Sequence, residues 1–113
     1  MRLVNKPWGN YLVLKEEDSF KVKLLTIFPS KRFSLQKHKF RSEFWFVVHG
    51  EGKAEVGNRE IILVNDTTVN VPKNSLHRIT NTGHFNLSVL EIQYGLKLIE
   101  SDIIRVEDDY GRK

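Results

Sequence analysis

The stretch RFSLQKHKFRSEFWFVVHG, Arg32–Gly50, changes character along its length. From Arg32 to His38 apolar and polar side chains alternate. That is the pattern of a strand with one buried face, because successive strand residues point to opposite sides. Glu43 to His49 then carries the run Phe44-Trp45-Phe46-Val47-Val48, which is apolar on both faces. Neither piece fits a helical repeat, so both read as β. Working outward, Phe20 to Phe28 carries Val22, Leu24, Leu25 and Ile27, and Pro29-Ser30 closes it because proline cannot donate to a ladder. A turn is expected at 29–31. Downstream, Lys53 to Val56 is a short strand, and Gly57-Asn58 is a hairpin signal before Glu60 to Val64. Further strands are expected at Thr67 to Val71, His77 to Asn81 and Phe85 to Tyr94. Strands at this spacing predict a single all-β domain, a sandwich or small barrel, with its body at about 12–95. An N-terminal arm (1–12) precedes that body. The charged tail (96–113) follows as a short helix or an extended segment.

A strand apolar on both faces would leave one of them wet in a two-sheet sandwich, so something must cover the Phe44–Val48 run. Two candidates are open. The arm, with Val4, Pro7, Trp8 and Tyr11, could fold across it, or a symmetric homodimer could bury it. Trp8, Trp45 and Tyr94 read as core or interface residues.

At 113 residues the chain is one ordinary domain, which excludes separate cofactor and substrate lobes. Hydrophobic residues at 40% and charged residues at 28% match a globular protein with an adequate core. The lack of cysteine removes thiolate chemistry and cysteine-based zinc sites, and it fits a reducing compartment. The net charge of +4 permits anionic partners. The basic residues are nevertheless scattered, densest at 31–41, with no basic tail, so nucleic acid is not expected. No run is long and apolar enough for a membrane helix, and Met1 to Trp8 lacks a signal-peptide core. A cytoplasmic location without membrane attachment is the expectation.

Gln36 and His38 lie two apart on one predicted strand and therefore share a face. Glu43 begins the next strand, and His77 begins a later one that could lie beside them. Together they offer an amide oxygen, two imidazole nitrogens and a carboxylate, a set suited to one divalent ion such as Zn, Mn, Fe, Co or Ni. The same residues could equally be solvated or hydrogen-bonded structural groups. Their order extends further. Gln36-x-His38, four residues, Glu43, six residues, Gly50, and then Pro72-x-Asn74-x-x-His77-x-x-x-Asn81 resemble the two cupin motifs, with Gln36 where the first His usually stands.

The resemblance narrows with Lys6-Pro7-Trp8-Gly9-Asn10-Tyr11, Val22-Lys23, Ser34-Leu35-Gln36-Lys37-His38, Arg41-Ser42-Glu43-Phe44-Trp45, His77-Arg78-Ile79-Thr80-Asn81, Glu91-Ile92-Gln93 and Asp109-Tyr110-Gly111-Arg112. These are similar to the type II mannose-6-phosphate isomerase domain, commonly the C-terminal part of bifunctional mannose-1-phosphate guanylyltransferases. The resemblance implies a cupin jelly-roll sandwich and a divalent metal on Gln36, His38, Glu43 and His77. It also implies interconversion of mannose 6-phosphate and fructose 6-phosphate for nucleotide-sugar and polysaccharide synthesis. Two positions depart from it: Phe44 replaces the family's usual His, and the acidic pair before Asp102-Ile103 reads Glu100-Ser101.

Such an isomerisation needs oxyanion stabilisation, a base and a phosphate site. Lys23, Arg41 and Arg78 are the candidates for binding a phosphorylated sugar, and Arg41 could also polarise the carbonyl. Glu91 is the candidate base, since it shares a strand face with Val89 and Gln93 and burial would raise its basicity. The sequence leaves open a non-catalytic sugar- or nucleotide-sugar-binding cupin that partners a guanylyltransferase. It also leaves open an isomerase or epimerase for another phosphorylated sugar. No phosphate loop, nucleophile elbow or dinucleotide fingerprint competes.

Overall fold

The computed structural model describes residues 1–112. Its strands are β1 (Arg2–Lys6), β2 (Gly9–Glu16), β3 (Phe20–Ile27), β4 (Leu35–Lys37), β5 (Arg41–His49), β6 (Gly52–Val56), β7 (Arg59–Leu63), β8 (Thr68–Val71), β9 (His77–Asn81), β10 (Leu87–Gly95) and β11 (Ile104–Glu107). Among the described residues no helix forms. One sheet has the order β1-β2-β3-β10-β5-β8 and the other β11-β4-β9-β6-β7, with all pairings antiparallel. The expected jelly-roll sandwich is the fold.

Alternation decides what fills the space between the sheets. Along β3 every second residue from Lys21 to Ile27 is buried, and the same holds on β5 from Arg41 to Val47 and on β10 from Leu87 to Gln93. At one end these inward rows are apolar, with Ile27, Val47, Leu87 and Val89 facing Ala54, Leu63 and Ile79 of the second sheet. At the other end they are polar, with Lys21, Lys23, Arg41, Glu43, Glu91 and Gln93 buried in the same rows. The sandwich therefore has a dry half and a chemically equipped half. Asn81 ties the sheets together at the dry end, its side-chain amide donating to the carbonyls of Ile27 and Phe85 at 2.8 Å each.

The arm does not cover β5, which corrects one of the two expectations for the apolar run. β1 and β2 extend the first sheet beyond β3, and β10 lies between β3 and β5. The reason is local: Tyr11 and Val13 alternate inward on β2 and Trp8 precedes them, so the arm buries its own apolar side chains by joining the sheet. Gly9 makes this docking possible. It sits at φ 155°, and a Cβ there would fall 1.9 Å from the Thr26 carbonyl oxygen. The tail is extended, since β11 pairs with β4 through Ile104↔Lys37 and Arg105↔Gln36. Beyond it, Arg32 donates two bonds to Asp109, at 2.8 and 2.9 Å, and the Tyr110 hydroxyl donates to the Arg32 carbonyl at 2.9 Å.

The outer face of the first sheet stays apolar. Register places Leu3, Leu12, Leu24, Leu90 and Phe46 in one cross-strand row, and Val22, Ile92 and Phe44 in the next. From β3 through β10 to β5 this face carries no charged side chain.

The dry half should carry the stability. Ile79, fully buried on β9, is a clean probe, and Ile79→Ala is expected to cost about 2–5 kcal/mol in urea unfolding.

Candidate metal centre

Glu43 comes from β5 of the first sheet, His77 from β9 of the second, and His38 from the segment just after β4. Their ligand atoms all lie within 4.8 Å of one another. His38 Nε2 stands 3.3 Å from Glu43 Oε2, and His77 Nε2 stands 3.7 Å from Glu43 Oε1. All three side chains are almost fully buried.

The second ring nitrogen of each histidine fixes its orientation. His38 Nδ1 donates to the Asp102 carbonyl and His77 Nδ1 to the Ser75 carbonyl. A carbonyl can only accept, so both Nδ1 atoms carry the proton and both Nε2 atoms face the shared centre. His77 Nε2 is buried there without a hydrogen-bond partner. An orphaned buried polar atom of this kind is costly unless something else satisfies it. Two Nε2 atoms and a carboxylate converging in a buried pocket are a donor set that could hold a divalent ion, so the residues fit the metal. Burial, with help from Arg41, pushes His38 down to about 4 against the pull of Glu43, so its ring is neutral at pH 7 as a metal ligand requires. Gln36 pairs in register with His77 and lines the same cavity, its side-chain oxygen accepting from the Ser34 hydroxyl at 3.1 Å.

The cavity that opens from this cluster has a volume of about 230 Å³. Tyr11, Lys23, Arg41 and Glu91 line it together with Gln36 and Glu43. Arg41 turns toward the cluster, donating from Nε to Glu43 at 3.1 Å and from Nη2 to His38 Nε2 at 3.0 Å. Glu91 lies opposite Lys23 in the β10–β3 register. It accepts from Trp45 Nε1 at 3.1 Å and from the Gln93 amide at 2.8 Å. Burial, reinforced by the nearby Glu43 carboxylate, pushes Glu91 up to about 8 despite Lys23 and Arg41.

Arg78 stands apart from the other sequence-predicted residues. Its neighbour His77 points inward, so Arg78 points out of the sandwich, where it meets Glu55 at 3.1 Å and Glu107 at 3.3 Å. That removes it from the cavity wall and corrects its assignment to substrate. Phe44 is also relocated. With Glu43 and Trp45 inward, Phe44 lies on the outer face beside Ile92, so this departure from the family pattern changes the outer surface rather than the metal surroundings. Ser101 is exposed.

Three contributors escaped the sequence reading. Trp45 Nε1 donates to both Glu43 and Glu91, at 3.1 Å each. Its position two residues after Glu43 was the available signal, because strand residues two apart share a face. Asp102 holds His38 through its backbone carbonyl, and its carboxylate accepts from the amides of Lys39 at 2.9 Å and Phe40 at 3.0 Å. Nothing in a residue pattern announces a carbonyl. Glu100 reaches Lys21 and Lys23 from the tail. In His38→Ala or His77→Ala, bound metal is expected to fall to background by elemental analysis while circular dichroism retains the β signature; wild-type metal content in both would refute the ligand assignment.

The family model described as mannose-6-phosphate isomerase C-terminal matches residues 1–108. The chain is 37% identical over 111 residues to a mannose-1-phosphate guanylyltransferase of Klebsiella pneumoniae, covering 98% of this chain and 24% of that protein. It is 38% identical over 109 residues to the alginate biosynthesis protein AlgA of Pseudomonas aeruginosa, covering 96% and 23%. The chain thus spans about a quarter of the length of these curated relatives. Among solved structures, the Cnp3 cupin domain of Schizosaccharomyces pombe superposes with a TM-score of 0.75 at 17% identity, covering 84% of this chain and 69% of that one. That likeness establishes the cupin fold alone. With sequence kinship running through both sheets and the buried His-Glu-His cluster, the chain belongs to the mannose-6-phosphate isomerase C-terminal family.

Proposed function

We propose that this domain is a cytoplasmic, metal-dependent aldose-ketose isomerase that interconverts mannose 6-phosphate and fructose 6-phosphate for nucleotide-sugar and polysaccharide synthesis. One observation carries the reading: the buried His38–Glu43–His77 cluster opens into a cavity whose wall also presents a carboxylate outside the cluster, Glu91, and two buried cations, Lys23 and Arg41.

The reaction removes the proton on C2 of the open-chain aldose and returns it to C1, while the hydroxyl proton passes from O2 to O1. Glu91 takes and returns the carbon-bound proton, since its raised basicity matches a base working near neutrality. Arg41 is fixed by Glu43 and His38, so its guanidinium is placed to stabilise the oxygen that gains charge. Lys23 supplies positive charge for the phosphate. A divalent ion (Zn, Mn, Co, Ni or Fe) on His38, Glu43 and His77, with Gln36 as a fourth ligand, would supply Lewis acidity for the same oxygens. Trp45 bridges Glu43 and Glu91 by sharing its indole N–H between them, which fixes both carboxylates against the same ring.

A second copy of this chain covers the outer face of the first sheet in this reading. Strands β2, β3, β10 and β5, about 4.8 Å apart and each of eight or nine residues, roughly 26–30 Å long, give a footprint on the scale of half a standard interface. The absence of charge from β3 to β5 lets the face meet its own image without like-charge repulsion. The relatives named for guanylyl transfer carry a matching domain within a longer chain, so a guanylyltransferase is the heterologous partner the reading expects.

Incubation of the purified protein with fructose 6-phosphate and each of the five ions should yield mannose 6-phosphate with at least one of them. No turnover with any ion would overturn the proposal. Glu91→Gln should lower kcat by roughly 10²–10³-fold at unchanged metal content. In sedimentation velocity the protein should run as a dimer and Leu90→Arg as a folded monomer; a wild-type monomer at tens of micromolar would refute the self-contact.

A further inference from the structure

Lys21 and Lys23 occupy inward positions of β3, in the same row as Leu25 and Ile27. They are only 3% and 4% exposed. Buried ammonium groups are costly unless paired, and these two share a partner. Glu100 Oε1 lies 3.0 Å from Lys21 Nζ and 3.6 Å from Lys23 Nζ. Lys21 also meets Glu16 at 3.0 Å, and Lys23 stands 4.1 Å from the centroid of the Tyr11 ring.

The two sides of this contact differ in how firmly they are held. The lysines are fixed in the central part of a six-stranded sheet. Glu100 is more than half exposed, on a turn closed by the bond from the Asp102 amide to the Ile99 carbonyl at 3.1 Å. Leu96 and Ile99 on the same segment are exposed as well. Two ammonium groups converge on one carboxylate oxygen, as they would on a phosphate oxygen, and of the three residues Lys23 and Glu100 line the cavity while Lys21 lies beside it. Asp102, immediately behind, is tied separately to His38 and to the amides of residues 39 and 40, so the contacts that hold Glu100 are distinct from those that orient His38.

We propose that Glu100 is a built-in anion that occupies a phosphate subsite formed by Lys21 and Lys23 in the unliganded protein. The incoming phosphate group displaces it, and residues 96–101 act as the latch. The inference rests on the sugar-phosphate reading only for the class of ligand. Its consequence is selectivity, because a neutral sugar has nothing with which to exchange Glu100 and leaves the latch closed.

The test is binding of inorganic phosphate to the full chain by isothermal titration calorimetry. Glu100→Gln should bind phosphate about tenfold more tightly than wild type, the gain expected if the latched form is favoured by roughly nine to one. Adding Lys23→Met to Glu100→Gln should abolish that gain. Hydrogen exchange in residues 96–101 of the wild type should rise when phosphate is added. Unchanged or weaker phosphate binding by Glu100→Gln, or exchange that does not respond to phosphate, would overturn the latch. Phosphate binding requires neither turnover nor a particular sugar, so a failed isomerase assay and a failed latch are separate results.

Discussion

The structure depends on keeping Glu43 ionised in a place that water does not reach. A lone buried carboxylate is untenable, so its neighbours must compensate it from several directions at once. Arg41 does so from the same strand and Trp45 from two residues on, while the two histidine Nε2 atoms converge on the same carboxylate from the facing side. Because the groups gathered around Glu43 come from both sides of the sandwich, the separation and register of the sheets are set by chemistry as well as by apolar packing. The apolar half keeps the sandwich closed, and the polar half determines how it must close.

From Glu43 the network runs outward in two directions. Through Trp45 it reaches Glu91, and through the β10–β3 register it reaches Lys23 and then Glu100. Through His38 it reaches Asp102 and the loop at residues 39 and 40. Both branches end on the C-terminal segment, a few residues apart. The segment read as a plain charged tail is therefore the wall that orients one ligand and neutralises the cations of the cavity.

Much of this was legible beforehand. Short apolar or alternating stretches bounded by turn residues located β3, β5, β9 and β10 to within one or two residues. The two-residue spacing put Gln36 and His38 on one face, with Glu43 at the start of the next strand. What escaped was of two kinds. The segment expected as an N-terminal arm forms β1 and β2, and the Gly9 conformation is what lets β2 approach β3. Arg78 was misplaced because an Arg beside a metal-binding His looks like a site residue, whereas strand geometry sends adjacent residues to opposite sides. Lys21 drew no attention, since a lysine on a strand is ordinarily a solvent residue. Contacts with backbone atoms, such as the carbonyl of Asp102, leave no mark in a residue pattern.

The bond between His38 and Asp102 spans 64 positions of chain. A ribosome releases His38, Glu43 and His77 well before it releases the segment that steadies the first of them. Until that segment arrives, the two imidazoles and the carboxylate are in place but the carbonyl that aims His38 is not. The orientation of the ring is completed only when β11 pairs with β4.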